Sequence, residues 1–155
     1  MAMVRYDLSG QWNMRKYPDG QWIDAKVPGS VFKDLLNADV IDDPFYRDNE
    51  DRVKRFALYD YQYTKEFCID DILYNHDKIF LCCEGLDTLC SIDINGRYLA
   101  DVNNMHRSYE WNIKDFIKEG TNTITILLYS PIEYITNKNK EAPLWGSGDA
   151  IAGFP

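Results

Sequence analysis

The sequence predicts an all-β sandwich with one or two short helices, and three observations support this fold class. Aromatic residues make up 14% of the 155-residue chain, with eleven tyrosines and four tryptophans, and such side chains pack well on a pleated sheet. Short segments of alternating polar and apolar residues recur along the chain, separated by turn-forming residues. One of these turns, Asn95-Gly96, has the composition that a tight β-hairpin favours.

Six strands are expected from this alternation. The clearest spans residues 88–95. Its apolar residues Cys90, Ile92 and Ile94 alternate with polar ones, so that one face of the strand would be buried and the other wet. The Asn-Gly turn would then lead into a returning strand over residues 97–102. The remaining strands are predicted over residues 11–16, 61–67, 78–83 and 123–128.

Two segments indicate helix rather than strand. Ser30 can cap a short helix over Val31–Asn37, because its side-chain oxygen can accept a hydrogen bond from a backbone N–H of the first turn. In that helix Val31 and Leu35 share a face at i, i+4 spacing. A single helical turn is expected at residues 113–117.

Two long stretches, residues 41–57 and 133–155, are expected to be loops without regular structure. Loops of this length inside a compact domain are usually functional or contact a partner surface. The chain shows no internal repeat and no internal boundary, so residues 1–155 are interpreted as a single domain.

Charge and composition exclude several classes of function. The net charge of −8 argues against a nucleic-acid partner, because neutralising phosphates requires clustered Lys and Arg. No apolar run approaches the roughly 18 residues that a membrane helix needs. Residues 1–7 lack the apolar core of a secretory signal, which favours a cytoplasmic location.

The four cysteines, at positions 68, 82, 83 and 90, are interpreted as reduced and mostly shielded. Adjacent residues of a strand point to opposite faces, so Cys82 and Cys83 suit neither a shared metal site nor a mutual disulfide. The chain also lacks the C-x-x-C pairs and Cys/His clusters that hold zinc.

The sequence contains no recognisable catalytic constellation. His76 and His106 lie in polar segments without a Cys or Ser partner nearby and are interpreted as loop histidines. Neither a Gly-rich phosphate loop nor a G-x-S-x-G elbow is present. Glycoside hydrolysis needs two carboxylates about 5 Å apart for retention, and sequence alone places no pair at that distance.

Residues 43–50, Asp-Pro-Phe-Tyr-Arg-Asp-Asn-Glu, form the densest run of polar and aromatic groups. One interpretation is a structural plug in which the aromatic rings pack on the sheet and Arg47 pairs with a nearby aspartate. The other is a polar loop that reaches a sugar, with Arg47 and Asn49 bonded to hydroxyls. Residues 103–109, Asn-Asn-Met-His-Arg-Ser-Tyr, form a second run for which both interpretations stay open.

These runs belong to an ordered set of motifs that resembles the N-terminal domain of β-mannosidases in glycoside hydrolase family two. Any one motif is weak, but the set covers nearly the whole chain and favours this branch over the galactosidases and glucuronidases. The family often carries a Trp where this chain reads Val53-Lys54-Arg55-Phe56, and an Asp-Trp pair where it reads Asp60-Tyr61. The matching motifs are Leu8-Ser9-Gly10-Gln11-Trp12, Val27-Pro28-Gly29, Asp43-Pro44-Phe45-Tyr46-Arg47-Asp48-Asn49, Gly85-Leu86-Asp87-Thr88, Asn95-Gly96, Asn104-Met105-His106-Arg107 and Ser130-Pro131.

The resemblance implies a jelly-roll sandwich of the galactose-binding-domain type, packed on a catalytic (β/α)₈ barrel that is not in this chain. The parent enzyme would remove terminal β-linked mannose with retention by the two-carboxylate route, without a metal or organic cofactor. This chain would be its non-catalytic N-terminal domain, bracing the barrel and helping to wall the sugar pocket. The alternatives are a free-standing carbohydrate-binding module and the structural domain of a family-two β-galactosidase or β-glucuronidase.

Within the resemblance, Asn49 is the residue expected to reach the substrate, with Arg47 in support. In related β-galactosidases the corresponding loop sends an Asn toward the sugar, and a neutral amide can donate to one hydroxyl and accept from another. Arg47 is expected to hold the loop through a carboxylate such as that of Asp48. Glu50 follows an Asn, as the family's acid/base does, but that residue lies in the barrel, so Glu50 is not expected to be catalytic.

Removal of the barrel would expose an apolar face of the sandwich. Self-association of the isolated chain is therefore expected, through Tyr134, Leu144 and Trp145. The isolated chain is also expected to be catalytically inactive.

Overall fold

The computed structural model describes residues 4–143, which form a β-sandwich with four short α-helices and one 3₁₀ helix. The fold class expected from the sequence is confirmed. The strands are β1 Gly10–Lys16, β2 Ile23–Val27, β3 Tyr61–Ile69, β4 Phe80–Glu84, β5 Cys90–Ile94, β6 Arg97–Val102, β7 Ser108–Asn112 and β8 Gly120–Leu128. The helices are α1 Val31–Asn37, α2 Asn49–Val53, α3 Asp71–Tyr74 and α4 Pro131–Glu141, with the 3₁₀ helix at Lys54–Leu58.

Two antiparallel sheets make up the layers of the sandwich. The larger has the strand order β2-β1-β3-β8-β5-β6, and the smaller pairs β4 with β7. Strands β3 and β8 form the centre of the larger sheet and pair along their whole length, from Tyr61 opposite Leu128 to Ile69 opposite Gly120.

The core lies where alternate residues of the strands point inward. On β5, Ile92 and Ile94 are fully buried, and Ile124 of β8 packs in the same cluster. The inward positions of β3 are mostly aromatic, as the tyrosine-rich composition suggested. The buried core residues of β1 and β3 are Trp12, Met14, Tyr61, Tyr63, Phe67 and Ile69.

Helix α1 forms as predicted and is anchored to the core by a buried carboxylate. The Ser30 hydroxyl accepts a hydrogen bond from the backbone N–H of Lys33, which caps the helix. One turn later Asp34, only 2% exposed, accepts a 2.8 Å hydrogen bond from the Tyr63 hydroxyl and another from the Lys26 backbone N–H. Both carboxylate oxygens are therefore satisfied inside the core.

The predicted hairpin joins β5 to β6. Asn95 and Gly96 both have positive φ, as this turn requires. The amide of Asn95 donates to Oδ1 of the buried Asn122, at 2.8 Å, and to the backbone carbonyl of Phe116. These bonds lock this end of the larger sheet.

The opposite end of the larger sheet carries the loops around residues 17–22, 85–89 and 103–107, together with the chain that enters α4. This placement follows from the register, since Tyr61, Leu128, Cys90 and Val102 all lie at that end. The run 103–109 identified in the sequence therefore starts at the end of the sandwich away from the hairpin, and its last two residues belong to β7.

Several predicted loops contain regular structure. Residues 41–57, expected to be irregular, contain α2 and most of the 3₁₀ helix. Residues 133–155 were also expected to be a loop, yet α4 extends to Glu141, starting from a Ser30-like cap at Ser130 with Pro131 in the first turn. The single turn expected at residues 113–117 is present, since the N–H groups of Phe116 and Ile117 both donate to the Ile113 carbonyl, but it does not extend into a regular helix.

The expectation that the cysteines are mostly shielded is wrong for two of them. Cys68 and Cys82 are exposed, because their strand neighbours Ile69 and Leu81 take the inward positions. Burial raises the pKa of the partly buried Cys83 thiol to about 12 and that of the buried Cys90 to about 11. All four are free thiols.

Candidate functional site

The segment 43–49 is an ordered turn built around Asp43. Its side-chain Oδ1 accepts a 2.9 Å hydrogen bond from the Phe45 N–H. Its backbone carbonyl accepts the Tyr46 N–H at 3.1 Å and the side-chain amide of Asn49 at 3.0 Å. The three bonds fix the path of the chain between Asp43 and the start of α2.

Asn49, the residue predicted to reach the substrate, lies at the first position of α2 and is 8% exposed. Its Nδ2 is committed to the Asp43 carbonyl. Every buried side-chain nitrogen or oxygen within residues 4–143 has a partner, and no hydrogen bond there reaches Asn49 Oδ1. Within residues 4–143, the amide oxygen is thus an acceptor without a hydrogen-bond partner.

The aromatic residues of the turn project away from the sheet. The Phe45 side chain is 97% exposed and that of Tyr46 is 57% exposed, so the packing that the plug interpretation requires is not formed. The guanidinium carbon of Arg47 lies 5.0 Å from the centre of the Tyr46 ring, a cation–π contact. Arg47 itself has a φ of 54°, which costs energy for a residue with a Cβ.

The carboxylate partner predicted for Arg47 is engaged elsewhere. Asp48 contacts Arg52, four residues along α2, at 3.4 Å. Both side chains are well exposed, so this ion pair adds little stability. Glu50 similarly contacts Lys54 at 3.3 Å, and the pKa of Lys54 is raised by Asp51 and Glu50.

The second segment, residues 103–107, turns on Asn104. Its Oδ1 accepts the His106 N–H at 2.9 Å, and its backbone carbonyl accepts the Tyr109 hydroxyl at 3.4 Å. Tyr109 stacks on Trp111 with ring centres 5.4 Å apart and planes 7° from parallel. Arg107 covers the Tyr109 ring at 5.5 Å, so the Arg and the aromatic residues of this segment form a structural stack.

The start of α4 is tied to the end of the 3₁₀ helix by Ser130 and Asp60. The Ser130 N–H donates to Asp60 Oδ1, and its hydroxyl donates to the Ala57 carbonyl, both at 2.7 Å. The Asp60 carbonyl also accepts the Tyr17 N–H at 2.9 Å. Together these bonds join three separate segments into one surface at this end of the sandwich.

The described part of the chain contains neither a metal-binding cluster nor a membrane-spanning helix. Residues 4–143 contain no cluster of three or more His, Cys, Asp or Glu side chains placed to hold a metal ion. Glu50 is paired with Lys54. Over the same residues, no helix combines the length and apolar character needed to span a bilayer.

Comparison with known proteins relates this architecture to glycoside hydrolases. Residues 12–153 match the family model described as the glycosyl hydrolase 2 galactose-binding domain-like domain. The β-mannosidase of Capra hircus is 29% identical over 89% of this chain, and β-mannosidase A of Emericella nidulans is 33% identical over 72%. The aligned regions are 16% and 12% of those two proteins.

Solved structures give the same relationship. The β-D-mannosidase of Dictyoglomus thermophilum superposes with a TM-score of 0.86 and 34% identity over 92% of this chain and 18% of its own. The exo-chitosanase of Amycolatopsis orientalis, at 18% identity and a TM-score of 0.68 over 77% of this chain and 16% of its own, shares the fold. The chain therefore belongs to the glycosyl hydrolase 2 galactose-binding domain-like family.

Proposed function

We propose that this chain is the non-catalytic N-terminal domain of a retaining exo-β-mannosidase of glycoside hydrolase family two. One observation carries the proposal. The D. thermophilum β-D-mannosidase matches 92% of this chain at 34% identity, but the match takes up only 18% of that enzyme. An entire domain of a β-mannosidase is thus related to this chain, and most of the enzyme lies outside the match.

The proposal assigns catalysis to another part of the parent enzyme because of the carboxylate geometry that retention requires. Two carboxylates must face one glycosidic bond about 5 Å apart, whereas Glu50 is engaged by Lys54 on the surface of α2. The nucleophile and the acid/base would belong to a (β/α)₈ barrel in the remainder of the parent. No metal or organic cofactor is needed for that route.

The exposed turn 43–49 is the contact that we assign to the barrel and its sugar pocket. Phe45 is held in place by the Asp43 carboxylate while its ring is almost fully in solvent. An apolar side chain on a backbone fixed in that position suits docking against another surface. Asn49, whose Oδ1 could accept a hydrogen bond from a sugar hydroxyl, would be the substrate contact at the base of the turn, and Arg47 would support it.

Two further expectations become part of the proposal. The free thiols fit a cytoplasmic location. Self-association of the isolated chain would use Tyr134, whose side chain is 51% exposed on α4. Leu144 and Trp145, the other residues expected to take part, lie outside the residues that the structure describes.

A substrate panel on the full-length parent tests the proposal. We expect hydrolysis of an aryl β-D-mannoside with retained anomeric configuration, and rates at least about 100-fold lower on the matching β-galactoside and β-glucuronide. A preference for the glucuronide or the galactoside would assign the chain to one of those branches and overturn the mannosidase proposal.

A further inference from the structure

A cleft of about 450 Å³ lies between helix α4 and the ends of strands β5, β6 and β8. Cys90 and Val102, both buried, give it an apolar base. Tyr129, directly after β8, and Tyr134 of α4 contribute aromatic rings to the lining. None of the residues 43–50 takes part, so this cleft is separate from the turn assigned to the barrel.

The two tyrosines are placed to present apolar surface. Their side chains are 41% and 51% exposed, and the Tyr129 hydroxyl donates a 3.1 Å hydrogen bond to Ser91 Oγ, which fixes that ring over the larger sheet. Helix α4 is held against the domain by the bonds of Ser130 to Asp60 and Ala57. The position of Tyr134 relative to Tyr129 is therefore set by the fold.

Besides Ser130, the polar lining includes two carboxylates and two amides. Asp101 and Asn103 come from the end of β6, and Glu133 and Asn137 from the facing helix. All four are exposed. Planar carboxylate and amide groups can each bond two neighbouring hydroxyls, while an apolar base and tyrosine rings suit the C–H faces of a ring-shaped ligand.

The charge of the lining narrows the class of ligand. Asp101 and Glu133 repel anions, and among residues 4–143 no lysine, arginine or histidine lines the cleft, so phosphates and uronic acids are disfavoured. A metal ion is not favoured either, because the described residues 4–143 contain no cluster of three or more ligating side chains. A neutral polyol with both apolar and hydroxylated faces fits the lining.

We propose that this cleft binds a neutral pyranose unit of an oligosaccharide, outside the turn 43–49. The tyrosines would pack on the sugar ring, and the carboxylates and amides would select its hydroxyls. Because this site uses its own residues, the proposal stands or falls independently of the parent's mannosidase activity.

Calorimetric titration of the 155-residue chain with β-1,4-mannobiose tests the site. We expect saturable binding with a Kd of roughly 1 mM, typical of a shallow site that buries few ligand atoms. Tyr134→Ala should weaken it about 10-fold. Phe80→Ala is the matched control, since Phe80 is 52% exposed on β4 and does not line the cleft, and it should leave the Kd within about 2-fold.

A second binding experiment compares mannobiose with a negatively charged ligand. A disaccharide capped with glucuronic acid should bind about 10-fold more weakly than mannobiose, and Asp101→Asn together with Glu133→Gln should reduce that difference. Circular dichroism of each variant would confirm that it is folded. The proposal is overturned if saturation is absent up to about 20 mM mannobiose, or if Phe80→Ala weakens binding as much as Tyr134→Ala.

Discussion

The side-chain amide of Asn49 donates a 3.0 Å hydrogen bond to the backbone carbonyl of Asp43 and so ties together the two ends of an exposed turn. The bond is partly buried, since Asn49 is 8% exposed while Asp43 lies at the surface. We therefore expect Asn49→Ala to destabilise the isolated chain by about 1 kcal/mol, measured by urea unfolding. In the full-length parent the same change should lower kcat/KM by roughly 10- to 100-fold, the loss of a single hydrogen bond to the substrate.

The stability of an Arg47→Ala variant can be compared with that of Asn49→Ala. Arg47 has no ion pair with Asp48, which contacts Arg52, and its stacking on Tyr46 is exposed. Arg47→Ala should thus change the free energy of unfolding by less than about 0.5 kcal/mol. Unchanged kinetics in the Asn49→Ala parent would show that the turn is structural and that Asn49 does not contact the sugar.

Phe45→Ala should affect the isolated chain and the parent differently. With the ring 97% exposed, the isolated chain should keep its thermal midpoint, whereas Phe67→Ala in the core should cost about 3–5 kcal/mol. In the parent, where we place Phe45 against the barrel, Phe45→Ala should lower the midpoint of thermal unfolding. If the wild-type and Phe45→Ala parents unfold at the same temperature, Phe45 does not contact the barrel.

The thiols should react in two classes. Cys68 and Cys82 are exposed. Burial makes Cys83 and Cys90 less accessible to reagents and also raises the pKa of these two thiols. A thiol reagent at pH 8 should modify two cysteines in the native chain and four after unfolding. Burial and the neighbouring Glu110 raise the pKa of Cys82 as well, so its rate should still be rising at pH 9. Fewer than four thiols after non-reducing denaturation would reveal a disulfide.

The bond between Tyr63 and Asp34 should make stability depend on alkaline pH. Burial, reinforced by Asp34, raises the pKa of Tyr63 far above its ordinary 10.0. The folded chain therefore keeps a proton that the unfolded chain releases, and the stabilisation present below pH 10 is lost as the pH rises beyond it. Tyr63→Phe should cost about 1–3 kcal/mol at pH 7, because Asp34 loses a buried partner, and should flatten the decline above pH 10.

An exposed tyrosine supplies the control for that measurement. Tyr46→Phe, with a side chain 57% exposed, should leave both the stability at pH 7 and the alkaline slope near those of the wild type. Equal slopes for wild type and Tyr63→Phe would contradict the assignment of the alkaline effect to this pair.

Much of the fold could be predicted because alternation and turn chemistry are local signals. Strand β6 and helix α1 have the predicted bounds, and the positive φ of Asn95 matches the Asn-Gly turn. Strand β7 was missed because its first residues, Ser108 and Tyr109, end the polar and aromatic run 103–109, which shows no alternation. Helix α4 was missed although Ser130-Pro131 is an N-terminal helix signal, because the residues after it show no strong apolar stripe.

Less of the candidate site than of the fold could be predicted from the sequence. The motif 43–49 could be recognised, but the bond of Asn49 to Asp43 depends on the conformation of the turn. The same holds for Asp48, since an aspartate beside Arg47 suggests a local pair while the geometry of α2 brings Arg52 to it instead. The cleft beside α4 combines residues about thirty positions apart, from Asp101 to Glu133, and the sequence offered no signal for it.

Catalytic activity measured side by side in the isolated chain and in the full-length parent tests the central claim most directly. With an aryl β-mannoside, the parent should turn over with retention, and the 155-residue chain should show only background hydrolysis, because the proposal places both catalytic carboxylates outside it. Turnover by the isolated chain that survives purification and disappears in Glu50→Gln would contradict this account and place the chemistry in the sandwich itself.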